Sequence, residues 1–569
     1  MSKQIQKRRR KYFSEDFDPA NWNQVEFALR ELLETQLRNV EDLVLLVEKA
    51  TELGDIIEEE AAWRYIRMTC NVDKKEYADA FNRFYSEVVA KAQPYEFQLK
   101  KKIYESPLKD HLPEGYHHMM RIVSNDIELF REENIPLQIK ERELSNQYGA
   151  LVGNITVDFD GQKRTLQQLA AYLKEPNRDL RERAWRKRYE GLWSKRQELN
   201  QLFDQLKEIR IQQAKNAGFD NYRDYVHKLK GRFEYSPEDL FKFHEAVEKE
   251  VVPFLHERTE LRRRKLGVES VRPWDTTVDV DGKVLKPFET TDELVERAIR
   301  TLKRVHPLFG GRLELMRNSG LLDLENRKGK APGGYNYPLP ETGAPFIFMN
   351  AVGQSSDVKT ILHESGHAMH TFETVDIPIS FYRPNRMEIA ELASMSMELL
   401  TLDHWKEYYK DEEDFKRAKI EELESAISFL PWCMTVDAFQ HWIYTHPNHT
   451  PQERDEYFAF LMDRFNPGVD WSELDEEKKT RWMFQLHIFE VPFYYIEYGI
   501  AQLGALAIYK RYLKGPESTV EDYIKFLKTG YKVPVDRVYE TAGIKLDFSR
   551  NYLRGIVEFV AKELERLER

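Results

Sequence analysis

A chain of 569 residues is longer than one hydrophobic core usually spans, so two or more packed lobes are expected. Hydrophobic residues make up 41%, enough for a large folded body, yet no run of about 18 apolar residues offers a membrane span. The net charge of −11 argues against a nucleic-acid surface, and two distant cysteines, Cys70 and Cys433, argue against a disulfide framework and for buried free thiols in a reducing compartment.

Taken in chain order, the N-terminus (MSKQIQKRRRKYF) lacks the apolar core of a signal peptide, which points to a cytoplasmic protein. Its basic run, Lys7 to Lys11, reads as a frayed, solvated tail, with an anionic partner as the alternative. Residues 39–70 and 74–93 carry apolar residues at three- and four-residue spacing among charges, the pattern of amphipathic helices. Residues 152–158 (VGNITVD) read as a strand that turns at Phe159-Asp160-Gly161 and pairs back through Lys163-Arg164-Thr165. Residues 177–215 form one long helix or two short ones. A loose boundary at 175–180 separates an N-terminal helical region with a small hairpin, 1–177, from a helical catalytic domain, 178–569. The stretch 276–286 (TTVDVDGKVLK) repeats the hairpin pattern around Asp281-Gly282, and 283–304 is helical in character. Pro and Gly cluster at 329–345 (GKAPGGYNYPLPETGAP), a long loop of the kind that is often functional, with a plain surface excursion as the alternative. A short strand, 345–350 (PFIFMN), follows; 413–430 and 551–568 are again helical.

Residues 358–372 (VKTILHESGHAMHTF) place Val358, Ile361, Leu362, Met369 and Phe372 on one helical stripe. His363 and His367 are four apart and share a face, so one metal ion can meet both imidazoles, while Glu364 can reach a water on that ion without ligating it. His370, on the same face, reads as a supporting or packing residue. A catalytic zinc needs a third protein ligand and one open position. The helix 387–400 (MEIAELASMSMELL) offers Glu388, Glu391 and Glu398 roughly on one stripe, and spacing alone does not choose among them.

HESGH followed after 23 residues by Glu391 in EIAELASMSMEL resembles the thimet oligopeptidase and oligoendopeptidase F family of zinc metallopeptidases, closest to the oligoendopeptidase F branch. Residues 153–185, NAGFDNYRDYV at 216–226 and KGKAPGGYNY at 328–337 are similar to that branch, so the resemblance covers about 150 to 500. It implies Glu391 as third ligand of one Zn2+ per chain, with Glu388 and Glu398 orienting the histidines. It also implies that a late histidine and tyrosines, here in LHIFEVPFYYIEYG at 486–499, donate to the oxyanion. His487, Tyr498 and Tyr495 are the candidates, the tyrosines sharing a face at a spacing of three, with Tyr494 beside them; the spacing departs from that of the thimet branch.

The implied fold is mainly α, with two helical lobes flanking a deep substrate channel and a few short strands near the zinc. The implied activity is hydrolysis of internal bonds in short oligopeptides, by a monomer or small homo-oligomer with no nucleic-acid or membrane partner. The strand Phe346–Asn350 is expected to bind substrate by β-augmentation through Phe346 and Phe348, core packing being the alternative for both. Gly333 and Gly334 would let the loop approach closely, and Tyr335 would close over the peptide. Two rivals remain open at this point. A zinc carboxypeptidase or dipeptidase would hold a free terminus with Arg383 or Arg386, and a helical peptide-binding protein would carry the motif unused. His2Glu ligation also accepts cobalt or manganese.

Overall fold

The chain is mainly helical in a computed structural model that describes residues 4–383 and 386–569. It divides into two compact units, each assembled from three stretches: Met1–Phe130, Leu285–Lys419 and Gly504–Leu546 in the first, Arg131–Val284, Ile420–Leu503 and Asp547–Arg569 in the second. Residue 177 falls within the second unit.

The helical periodicity translates directly into helices with small shifts at their ends. Asn39 caps Val40–Cys70, its side chain accepting from the Asp42 N–H at 2.8 Å. The 74–93 pattern becomes Lys75–Phe84, a π turn and Ala90–Glu105. The 177–215 stretch is two helices, Arg178–Trp193 and Arg196–Asn216. Helix Thr291–Val305 starts later than 283 because Thr290 caps it and Pro287 precedes the cap. Glu412–Thr445 runs on past 430 and through Pro431.

The strand expectations fare unevenly. Strands β1 (Thr156–Phe159) and β2 (Gln162–Thr165) form the hairpin, with both turn residues at positive φ, Asp160 at 48° and Gly161 at 77°. Residues 152–153, expected in the strand, instead end helix Asn134–Gly153. The second hairpin does not form. At 276–284 the Asp279 carboxylate takes the N–H groups of Asp281 and Lys283, and Arg262 takes the carbonyls of Asp275 and Val278, so side chains occupy backbone groups that a ladder would need.

The first unit holds one three-stranded sheet: β3 (Leu322–Glu325), β4 (Tyr335–Leu339) and β5 (Ala344–Ala351), in the order β3-β5-β4. β3 runs parallel and β4 antiparallel to β5. Part of the expected 329–345 loop is therefore a strand, and Pro338 is tolerated because β4 is an edge. The rest is held rather than free. Lys330 Nζ donates to the carbonyls of Asp323, Glu325 and Met349, and Asn350 Nδ2 donates to those of Ala331 and Gly333.

The basic N-terminal run is not a frayed tail. Arg10 Nε lies 2.6 Å from Glu341 Oε1 with both side chains buried, Lys11 pairs with Glu48, and Arg8 with Asp376. With Lys7 also on Glu341, four of the five basic residues of the run have a carboxylate partner.

Candidate metal centre and an aromatic cluster

β5 delivers the chain into helix Ser355–Thr374, which carries the HExxH motif. Asp357 Oδ2 accepts from the N–H groups of Val352 and Gln354 at 2.8 and 2.9 Å, fixing the helix start. The second helix, Met387–Leu400, crosses it at Gly366: a Cβ there would stand 2.5 Å from Ser394 Cα and 2.6 Å from the Ala393 carbonyl oxygen. Glycine is required for the two backbones to come this close.

That close crossing brings the expected ligands together. His363, His367 and Glu391 present one ligand atom each, all within 4.8 Å of one another. Glu391 Oε2 lies 3.4 Å from His363 Nε2 and 3.6 Å from His367 Nε2. The outer ring nitrogen of His363 is occupied, Nδ1 sitting 2.5 Å from Glu398 Oε1, and the His367 ring lies by the Ala390 backbone. Both Nε2 atoms thus face the Glu391 carboxylate, with the His363 ring fixed from behind by Glu398, a donor set that fits a divalent ion taking nitrogen and oxygen ligands. Burial alone would lower His363, but its hydrogen bonds to Glu391 and Glu398 raise it well above an ordinary histidine. His367 is pushed down to about 4 by burial.

Glu364 lies beside this set, buried, with Oε2 lacking a hydrogen-bond partner. Burial pushes its carboxyl up to about 7, and the charges of Glu391 and Glu398 add to the shift against the opposing effect of His363. A carboxyl near neutrality with an open oxygen is suited to exchanging a proton.

The surroundings separate the other glutamates. Glu398 is the one that meets His363, and Lys359 Nζ holds its second oxygen at 3.2 Å. Lys359 is not among the expected site residues, although its place one turn before His363 is a visible signal. Glu388 is buried at the start of its helix, where Tyr539 donates to its carbonyl. His370 is buried against Phe526 and makes no hydrogen bond through either ring nitrogen, which agrees with packing rather than ligation.

The expected substrate residues are arranged differently from the sequence reading. β5 is hydrogen-bonded on both sides, so the strand containing Phe346 and Phe348 has no open edge and cannot be augmented. Phe346 packs against Trp63, and Phe348 stacks on Tyr335 at 4.7 Å. Tyr335 is not a lid, because its hydroxyl lies 2.7 Å from Thr69 Oγ1 and its ring is held by Phe348 and Tyr65. Gly333 has φ 97°, and Gly334 lies close to the Phe348 carbonyl. β4 is an edge strand, as is β3, and it is the Asn336 side chain of β4 that donates to the Glu364 carbonyl at 3.3 Å, beside the motif helix. Arg383 is engaged by Asp55 and the Ile377 carbonyl, and Arg386 lies over the Tyr531 ring.

In the second unit, His487, Tyr494, Tyr495 and Tyr498 form one aromatic cluster. The His487 ring lies 6.0, 4.7 and 5.9 Å from the three tyrosine rings in turn, and its Nδ1 is 2.7 Å from Gln485 Nε2. Tyr495 and Tyr498 share a face of helix Tyr495–Tyr512, at 5.6 Å. The segment enters through Phe493, a non-glycine residue at φ 59°. Gln440 accepts its N–H at 2.7 Å, and Arg232, paired with buried Glu497, donates to its carbonyl. These braces are distant in sequence and left no local signal.

Residues 171–558 match the model of peptidase family M3, and residues 14–130 match that of the peptidase M3 N-terminal domain. An oligoendopeptidase F homolog of Borreliella burgdorferi is 28% identical over 301 residues, 50% of this chain and 49% of that protein. One from Lactococcus lactis is 22% identical over 590 residues, 94% of this chain and 91% of that protein. A solved structure of PZ peptidase A with an inhibitor matches with a TM-score of 0.90 at 27% identity, covering 98% of this chain and 99% of that one.

Proposed function

The chain belongs to peptidase family M3, with oligoendopeptidase F homologues among its relatives, and on that premise we propose that it is a zinc-dependent endopeptidase of short peptides. One observation carries the reading: a buried carboxyl with an open oxygen, Glu364, stands beside a convergent His2Glu donor set.

His363, His367 and Glu391 hold the ion. When bound there, zinc supplies Lewis acidity and lowers the pKa of a water. Glu364 accepts a proton from the attacking water and passes it to the leaving amine, a transfer favoured by its position near neutrality. Glu398 keeps His363 in one ring orientation, with Lys359 balancing its charge. For His487, Tyr495 and Tyr498 the role implied by the family resemblance is donation to the developing oxyanion. Its support is the closeness of the four rings and the brace on Phe493. The substrate backbone pairs with the outer edge of β4, which among the described residues has a ladder partner on one side only.

An exopeptidase needs a charged group free to bind a terminus. Of the two arginines that could do so, Arg383 is already committed to Asp55 and Arg386 lies over the Tyr531 ring, which favours the endopeptidase reading. A cytoplasmic location is part of the proposal, supported by two buried, unbridged cysteines.

Mass-spectrometric mapping of peptides blocked at both ends tests the reading, with and without a chelator. Internal cuts that vanish on chelation and return with zinc are expected. Glu364→Gln should lower kcat by a factor of about 10² to 10⁴ while zinc content stays at one per chain. Wild-type turnover in that variant would refute the mechanism, and cleavage confined to free-ended peptides would refute the endopeptidase assignment.

A further inference from the structure

Three residues of the basic run at the N-terminus, Lys7, Arg8 and Arg10, meet at a single turn, residues 340–343, which joins β4 to β5. Glu341 is its anchor. Arg10 approaches with both arms of its guanidinium, Nε 2.6 Å from Oε1 and Nη2 3.3 Å from Oε2. Lys7 Nζ is 3.1 Å from Oε2, and the Arg8 backbone N–H donates to the Glu341 carbonyl at 2.8 Å. The next turn residue is gripped by Glu59 of helix Val40–Cys70, which accepts from the Thr342 hydroxyl at 2.6 Å and from its N–H at 2.7 Å. Gly343 has φ 75°, and a Cβ there would stand 2.8 Å from Arg8 Nε, so the arginine stem lies against the turn. Arg8 then extends to the end of the motif helix, donating from Nη1 to the Val375 carbonyl at 3.0 Å and pairing with Asp376.

One short segment therefore ties the closed end of the β4–β5 hairpin to the C-terminal end of the helix that carries HExxH. The central pair is not an ordinary surface ion pair: the Arg10 and Glu341 side chains are only 6% and 8% exposed. Buried pairs escape most screening, and breaking one leaves an uncompensated charge. The other end of β4 is pinned separately, by Tyr335 to Thr69 and by Asn350 to the Gly333 carbonyl.

We propose that residues 7–12 act as a strap that sets the position of β4 against the motif helix, with Arg8 and Arg10 as positioning residues for peptide binding. This rests on the reading that the outer edge of β4 receives the substrate. An edge strand offers backbone groups at fixed intervals, so its usefulness depends on where both of its ends are held. Arg8 and Arg10 touch no substrate and leave the donor set intact, so their loss should be felt in binding rather than in the chemical step.

The test uses the full chain, end-blocked peptides and a matched series N-methylated at single backbone amides. Arg10→Met is expected to raise KM about fivefold to tenfold, the scale of one or two backbone hydrogen bonds. The expected kcat and zinc content stay within about twofold of wild type. Arg10→Lys should recover part of the loss, and N-methylation that raises KM for the wild type should matter less in Arg10→Met, since both act on the same strand contact. If Glu341, left with Lys7 as its remaining cation, prevents folding, Arg10→Met/Glu341→Gln removes both charges of the buried pair and serves in its place. A folded variant with a lowered Tm, an unchanged KM and a full N-methylation penalty would leave Arg10 purely structural and overturn the strap. N-methylation without effect on the wild type would instead remove the β4 reading, and the strap's role with it.

Discussion

His118 is pushed down to about 4 because burial disfavours its charged form, and the positive charges of Arg121 and Arg386 act in the same direction. It stands edge-on to Tyr531 at 4.5 Å, and its Nε2 has no hydrogen-bond partner. An unfolded histidine takes its proton near pH 6.5, so between about 6.5 and 4 the unfolded chain binds a proton that the folded chain refuses. Stability from this site is therefore complete above pH 6.5 and is lost as pH falls toward 4. Urea unfolding of wild type and His118→Gln at several pH values checks this: the wild type should lose stability relative to the variant on acidification through that window. Parallel pH profiles would remove His118 from the acid response. Legibility at this scale depends on sequence distance. His363, Glu364 and His367 sit on adjacent turns of one helix and are visible in the spacing, and Glu391 needs only the next helix and a family likeness. Arg10 and Glu341 are 331 positions apart, and no local pattern marks a basic side chain that will be buried by so remote a carboxylate.

Gly366 shows how one position sets the relation of two helices. It lies inside HESGH, where the motif's chemistry requires no particular side chain, yet the backbone of Ser394 fills the space a Cβ would need. Gly366→Ala must push Met387–Leu400 outward and carry Glu391 away from the histidines. The expected cost is about 1–3 kcal/mol of stability, the range for overpacking a core, together with weaker zinc binding. Thermal unfolding with and without chelator measures both, and a variant that keeps wild-type zinc affinity would show that the crossing has slack. The same element scale explains which structures were visible beforehand. Amphipathic helices such as Val40–Cys70 announce themselves over many residues, and their caps fall where Asn or Thr precedes the pattern. Short strands lack that redundancy. TTVDVDGKVLK has the alternation and turn of a hairpin, but Asp279 and Arg262 compete for its backbone; Tyr335–Leu339 contains a proline and forms a strand because β5 supplies the ladder.

At the scale of the whole chain, each compact unit gathers three separate stretches, so a single cut along the sequence describes neither, and no linker of distinctive composition marks the crossings. The division has an energetic consequence, because His363, His367 and Glu391 all belong to the first unit. The second unit has braces of its own: buried Arg210 joins Glu141 to the carbonyls of Ile488 and Phe489, and Arg232 joins Glu497 to that of Phe493. An ion that binds only the folded donor set stabilises by mass action the structure that must open to release it, by about 4 kcal/mol at a free concentration a thousand times its Kd. Amide exchange reads that contribution locally. Chelation should speed exchange in Ser355–Thr374 and Met387–Leu400, by up to about a thousandfold where opening releases the ion, while Arg196–Asn216 in the second unit keeps its protection. Equal acceleration in both units would mean that they open together as one cooperative body. No acceleration in either would mean that His363, His367 and Glu391 do not hold the ion, and the proposed mechanism would lose its metal.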